Sequence, residues 1–520
     1  MLRPPAVLII LHLLAACGTA ERCNGGSAGQ CADRRPPAAE RSFVSRAVDA
    51  YITKLSQNMT ADPQLACLFR NTLPNTLDTT VRPGAHQSFT FVITGDIDAM
   101  WLRDSTNQVL PYLPFAASDA PLRNMLTGLL RQQAAFVLME PYANAFYLTS
   151  DPMVKSPNTG DDTTSPSSLC LASHGNCSYA GTRVNGMRPG VYERKYELDS
   201  LMAFLKLGRM LLESVSVSQL DASPYDAVWY KAVGRVLDVL EAQQQSSAED
   251  ASGPCGPSYT FSRSNLAGQG PHDTLLHGVG PPAARTGMIR SAFRPSDDSC
   301  TFPFLVPANA MAVVELQHTA ALLRALNASL GEGVAARCER IATDISNGIT
   351  RYGIIDRPDL GGRVYAYEVD GFGNANFMDD ANIPSLLSLP WLGYVASTDP
   401  TYLRTRSYVL STASNPWFFS GPAGEGVGSP HTGANTVWPM AITMRALTSS
   451  SDAEITQCLA ALKQSASAPG SWLMHESFRA DNAASFTRPW FAWANSLFGG
   501  LIIKLSRERP RLLLGAHHTV

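Results

Sequence analysis

Along most of this chain apolar residues recur at three- and four-residue intervals, the pattern of helices that bury one face. Phe43, Ala47, Val48, Tyr51, Ile52 and Leu55 predict a first helix from Ser42. Leu126, Leu129, Leu130, Ala134, Val137 and Leu138 predict another over 122–139. The same period returns over 201–212, 227–244, 308–326, 334–352 and 437–447, with a shorter segment over 67–77. Alternation and β-branched residues over 88–94 predict a strand. Two polar stretches, 142–186 and 246–301, read as long connectors, and Arg294-Pro295-Ser296-Asp297-Asp298 in the second could rim a cleft. Helices joined alternately by short and long connectors point to repeated αα-hairpins, although no repeat is visible in the residues themselves.

Composition narrows the class. The 520 residues are 45% hydrophobic and 16% charged, which describes a folded chain with a large core. A formal net charge of −3 gives no reason to expect nucleic acid or an anionic membrane as partner. Arg3, the apolar run Ala6 to Ala16 and the small residues Gly18-Thr19-Ala20 form a secretory signal peptide over 1–20. That run is short for a membrane span, so stable membrane insertion is not expected, although an uncleaved anchor is an alternative. Leu14-Ala15-Ala16-Cys17 also resembles a bacterial lipobox. The sequons at Asn58, Asn176 and Asn327 favour a eukaryotic secretory route instead. The expected location is therefore secreted or in the secretory-pathway lumen. Residues 21–41 read as a disordered stem, 42–508 as the folded domain and 509–520 as a tail. The ten cysteines show no zinc-type spacing. In an oxidising compartment Cys170 with Cys177 is the best local disulfide, and Cys255 with Cys300 a second candidate. Nine cysteines remain without the signal, so at least one has no intramolecular partner.

Five clusters carry candidate chemistry. In YERKYELDSL, Asp199 follows Glu193, Arg194, Lys195 and Glu197 and opens an apolar helix; a plain helix cap is the alternative. Asp96, Trp101, Arg103 and Asp104 lie in a short stretch after Gly95, where carboxylates and Arg can bind hydroxyls and Trp can stack on a sugar. A buried structural Arg103–Asp104 pair is the alternative there. Asp379 and Asp380 follow a glycine-spaced acidic run without the EF-hand order of ligands. His431 sits in a glycine-rich loop that lacks the Lys-Ser/Thr ending of a phosphate loop. His475-Glu476 precedes the Arg488-Pro489-Trp490 stretch. The second histidine of a zinc protease motif would fall at Arg479, and no Gly-x-Ser-x-Gly elbow occurs. Acid and aromatic clusters in the connectors of a helical chain fit a glycoside hydrolase, which needs two carboxyl groups across the scissile bond. A glycan-binding protein would share the aromatics without needing the acid–base pair.

TGDIDAMWLRDS, ERKYELDSL, GFGNANFMDDANIPSLLSLPWLGY, SPHTG and MHESF with FTRPWFAWANSLFG together resemble glycoside hydrolase family 125, the exo-α-1,6-mannosidases. The resemblance implies an all-α (α/α)6 barrel with minor β segments. It also implies removal of terminal α-1,6-linked mannose from a mannose-containing oligosaccharide or N-glycan, with inversion and without a cofactor or metal. By motif, Asp199 resembles the family's general acid and Glu476 its general base. Asp96, Trp101, Arg103, Asp104, Asp379, Asp380, His431 and Arg488 are the expected sugar-binding residues. An α-glucosidase or trehalase activity on the same scaffold, or a non-catalytic glycan-binding protein, is the alternative.

Overall fold

A computed structural model describes residues 31–84, 88–148, 190–220, 223–253, 256–263 and 273–514, with the short strand pair 178–179 and 182–183. The signal segment, Cys170, Cys177, Cys255 and the Asn176 sequon lie outside the described residues.

The chain is helix-rich, and its most buried helices stand side by side. Ala492–Glu508 packs on Leu102–Val109, which packs on Leu198–Ser214, which in turn packs on Val306–Gly348; on its other flank Ala492–Glu508 meets Pro439–Leu447. All eight residues of Leu102–Val109 are buried, as are the first eleven of Leu198–Ser214. A second set of helices covers these from outside. Ala120–Met139 lies on Leu198–Ser214 and on Ala227–Gln243, Asp452–Ser467 on Pro439–Leu447, and Pro63–Thr72 on Ala492–Glu508. The run Val306–Gly348 doubles back on itself. Arg324 bonds Glu339, 15 residues on, at 2.5 Å, whereas a straight helix would separate them by about 22 Å. The two helices expected over 308–326 and 334–352 are thus present as a hairpin.

The two sets differ in how they begin. Covering helices start on side-chain caps: Ser45, Asp62, Asp119, Asp226, Asp399 and Ser451 each accept a backbone N–H of the first turn. Trp101, Glu197, Leu305, Trp438 and Phe491 open the buried helices and make no such bond. Three short strands feed straight into these uncapped ends. Met100–Trp101 joins a sheet with Ala145–Phe146 and Val191–Glu193, Phe304–Leu305 one with Glu368–Val369 and Ala375–Asn376, and Thr436–Val437 one with Ser477–Arg479 and Asn482–Thr487. The sheets hold the helix starts in place of caps, and they set the positions of Trp101 and Glu476.

Several expectations are corrected. Residues 31–41 of the expected stem are ordered: Cys31 forms a disulfide with Cys67, and Arg35 pairs with Asp78 and Asp49 at 2.7 Å each. Part of the expected tail is helical too, over Arg511–Leu514, with Leu513 and Leu514 buried. Cys300 is a free, buried thiol, so it does not pair with Cys255. The strand expected over 88–94 is shorter, Thr90–Val92, and pairs with Val81–Pro83. Among the described residues no helix is long and apolar enough to cross a membrane.

Candidate active site

The uncapped helix starts converge on a cavity of about 210 Å³. Its walls include the opening residues Trp101, Trp438 and Phe491, together with Arg103, Asp104, Trp493, Asp297, Asn382, His431, Glu476 and Arg488. The positive ends of the helix dipoles that open at Trp101, Trp438 and Phe491 lie at this region, which favours carboxylates and hydroxyl oxygens there. The volume lies below the roughly 300–1,000 Å³ of sites for drug-sized ligands, and suits one sugar ring rather than a chain of them. The indole N–H groups of Trp101 and Trp493 are buried without a hydrogen-bond acceptor, and hydroxyl groups in the cavity would supply one.

Arg103 organises the acidic wall. Its guanidinium lies 2.5 Å from Glu197, 3.1 Å from Asp104, 3.4 Å from Asp297 and 3.6 Å from Asp199. One guanidinium faces four carboxylates here, three of them buried, and burial favours their protonated forms. Desolvation pushes Asp199 up to about 7 and also raises Asp104. Glu197 is raised well above its ordinary value, first by burial and then by the neighbouring Asp297 and Asp199 charges. Asp297 goes the other way. Burial opposes its ionisation, but Arg103, the Glu197 proton, Lys195 and His431 outweigh it. Burial thus favours the protonated form at Glu197, whereas the surrounding cations favour the carboxylate at Asp297. Asn144 links the group, donating from Nδ2 to Glu193 at 2.9 Å, Glu197 at 3.2 Å and Asp297 at 3.3 Å.

Asp199 does not reach the cavity. It is wholly buried behind Arg103, and neither carboxylate oxygen has a hydrogen-bond partner. Asp297 does reach it, with a side chain 23% exposed and its Oδ1 held by Asn144 and Arg103. Its backbone is left-handed at φ +69°, an unfavourable conformation for a non-glycine residue. Such strain persists where surrounding contacts impose it, often at functional sites. Asp297 and Asp104 are thus the members of the acidic cluster on the cavity wall, and Asp297 is the more exposed of the two.

The opposite element of the site is Glu476, placed just before the strand Ser477–Arg479. Arg488 Nη1 lies 3.4 Å from its Oε1, donates from Nη2 to the Thr94 carbonyl at 3.0 Å, pairs with Asp96 and stacks over Phe491. Arg488 is also left-handed, at φ +51°. No other hydrogen bond among the described residues reaches Glu476, which leaves Oε2 able to accept from a water. His475 is structural: its ring nitrogens bond Ser471 and the Arg488 carbonyl at 2.9 Å each, and it stacks on Phe486.

His431 lines the cavity and bonds Asp298 at 3.2 Å. Burial disfavours its charged form, but the Asp298 carboxylate prevails and pushes it up to about 9, so it is a cation at neutral pH. Asp96 is not on the wall and acts on it through Arg488. Asp379 and Asp380, expected to bind sugar, are not on the wall either. Asp379 accepts the Leu386 and Leu387 N–H groups at 2.8 and 3.0 Å, and Asp380 accepts Ser429 and Asn382. They hold the loop that presents Asn382, the residue that does line the cavity. Asn382 and Trp493 lie within two of the quoted motifs without having been named, whereas Asn144 and Trp438 lie outside all of them, where a lone Asn or Trp carries no signal.

Residues 62–503 match the family model for metal-independent α-mannosidases, GH125. The chain is 44% identical over 488 residues to the meiotically up-regulated gene 157 protein of Schizosaccharomyces pombe, covering 92% of this chain and 89% of that protein. A solved Streptococcus pneumoniae structure from a family of metal-independent α-mannosidases, a non-productive substrate complex with α-1,6-mannobiose, superimposes with a TM-score of 0.78. It is 35% identical, and the match covers 90% of this chain and all of that one. The chain is a glycoside hydrolase and belongs to the metal-independent α-mannosidase family, GH125.

Proposed function

We propose that this protein is an inverting exo-α-mannosidase that removes terminal α-1,6-linked mannose from an N-glycan or another mannose-containing oligosaccharide. The observation that carries the reading is a cavity the size of one sugar with carboxyl groups on opposing walls, Asp297 and Asp104 beside Arg103 and Glu476 beside Arg488. The 1,6 linkage is supported by the mannobiose bound in the similar pneumococcal protein. The side-by-side buried helices with their outer covers support an (α/α)6 barrel with the site at the helix starts. The signal pattern and the Cys31–Cys67 disulfide support work in an oxidising secretory compartment.

In this reading Glu476 is the general base. It takes a proton from a water lying beneath the anomeric carbon while Arg488 fixes its Oε1. Asp199, the acid expected from the motif, has the raised value an acid needs but lies buried beside Arg103, so this reading gives the acid's role to Asp297, which meets the cavity. As the glycosidic oxygen approaches, Asp297 relays a proton from the raised Glu197 carboxyl to the leaving oxygen. The carbon–oxygen bond breaks as the water attacks from the opposite face, and the product mannose has the β configuration. Such a pair stands roughly 6.5–9.5 Å apart to leave room for the water. The His431 cation and the indole N–H groups of Trp101 and Trp493 are placed to hold sugar hydroxyls. Incubation with a panel of aryl α- and β-glycosides and with α-1,2-, α-1,3- and α-1,6-mannobiose tests the assignment. Release of mannose chiefly from the α-1,6 disaccharide is expected, and preferential cleavage of a glucoside would overturn it.

A further inference from the structure

A second and larger cavity, about 520 Å³, lies at the far end of the same buried helices. On the helix Ala492–Glu508, Trp493 lines the first cavity and Ile503 the second; ten residues separate them, about 15 Å along the axis. The two are distinct sites, and the argument for the second does not depend on the glycosidase reading.

The second cavity has an apolar side, which includes Leu110, Leu497 and Ile503, and a basic one. Lys206, Arg209, Lys504 and Arg507 line it; Arg209 is paired with Glu315 and Glu213 and Lys504 with Glu508 at 2.6 Å, which leaves Lys206 and Arg507 without an ion pair among the described residues. Lys206 is the telling residue. It is only 5% exposed, yet among the described residues no hydrogen bond or ion pair reaches its amine. Its Nζ lies 3.9 Å from the centre of the Trp391 ring, on the cavity wall. The nearby Glu315 carboxylate is occupied by Arg209 at 2.9 and 3.0 Å. A buried ammonium needs an anionic or hydrogen-bonding partner, and the open space beside it is where one would sit. Burial pulls the amine down to about 8, so near neutral pH it still carries charge.

We propose that this cavity is a binding site for a small amphipathic anion, with a carboxylate or phosphate head on Lys206 and an apolar body against Leu110, Leu497 and Ile503. Its volume falls in the range of small-molecule sites. The test is calorimetric titration of the full-length protein at neutral pH with decanoate, decyl phosphate and uncharged decanamide, each below its micelle concentration. Both anions are expected to bind at least tenfold tighter than the amide, and the tighter of the two identifies the head group. Lys206→Met keeps the apolar stem and should erase that margin, with thermal melting and mannoside hydrolysis as in the wild type. Leu497→Trp fills the cavity and should lose binding of all three probes. Equal affinity for amide and anions in the wild type would overturn the proposal. So would undiminished anion binding in Lys206→Met, or undiminished binding of the probes in Leu497→Trp.

Discussion

Replacing Asp297 by Asn separates the two candidate acids. The change is isosteric and leaves Asn144 and Arg103 in place, but removes the carboxyl that meets the leaving oxygen. General acid catalysis is worth about 10²–10⁴ in rate, or roughly 3–5 kcal/mol of barrier at about 1.36 kcal/mol per factor of ten. The full loss should appear on α-1,6-mannobiose, whose sugar alkoxide is a poor leaving group. It should shrink to less than about tenfold on 2,4-dinitrophenyl α-mannoside, whose phenolate departs without a proton. Asp199→Asn is the control. A carboxyl that is wholly buried and pushed up to about 7 is largely protonated in mildly acidic solution. An amide of the same shape should therefore keep activity within about tenfold on both substrates, since it removes no group in contact with sugar. Steady-state kcat and kcat/KM at pH 5.5 decide the matter, with circular dichroism to confirm folding. If Asp199→Asn loses mannobiose cleavage and keeps the activated substrate, while Asp297→Asn loses neither, the assignment from cavity geometry is wrong.

Three further outcomes follow from the same contacts. Arg488→Lys keeps the charge but loses the fork that joins Glu476, Asp96 and the Thr94 carbonyl; kcat should fall about 10–100-fold on both substrates, because a misplaced base slows water attack whatever the leaving group. Stability should depend on pH through the buried carboxyls. The folded value of Asp199, raised from 3.8 to about 7 by desolvation, means that the folded state binds the proton more tightly. Its contribution is full near pH 4 and is lost as pH rises to 7, about 4 kcal/mol in all. Asp379, pushed up to about 8, acts in the same direction. Urea unfolding from pH 4 to 8 should therefore show Asp199→Asn gaining on the wild type as pH rises, and parallel curves would refute the burial argument. Cys31→Ser opens a loop spanning 36 residues, which should cost about 2–4 kcal/mol, and the difference should vanish when both proteins are unfolded in reductant.

Much of the helical frame was legible because the covering helices and the first buried ones keep a period of three to four apolar residues. The helix Ala492–Glu508 was not, since Ala492 to Gly499 are buried without a break and leave no polar face to mark the turn. Asp452–Ser467 was missed for the opposite reason: short Ala and Ser side chains blur its apolar stripe. The site was legible as clusters but not as a layout. WLRD, SPHTG and MHESF did mark residues on the cavity wall, and the cleft expected near Asp297 is present. Asp199 and Asp297 both stand beside Arg103, 3.6 and 3.4 Å away. Only the fold separates the sealed carboxyl from the open one. Asp379 and Asp380 were expected to bind sugar because their motif resembles the family's, yet backbone N–H groups of the following turn satisfy Asp379.

The central claim is that Glu476 and Asp297 act as an inverting pair on α-1,6-linked mannose. The most direct measurement follows α-1,6-mannobiose by proton NMR in the first minutes of reaction, with wild type beside Glu476→Gln and Asp297→Asn. The account predicts β-mannose as the first product and its loss in both variants. Release of α-mannose first, or β-mannose at wild-type rate from either variant, would contradict it.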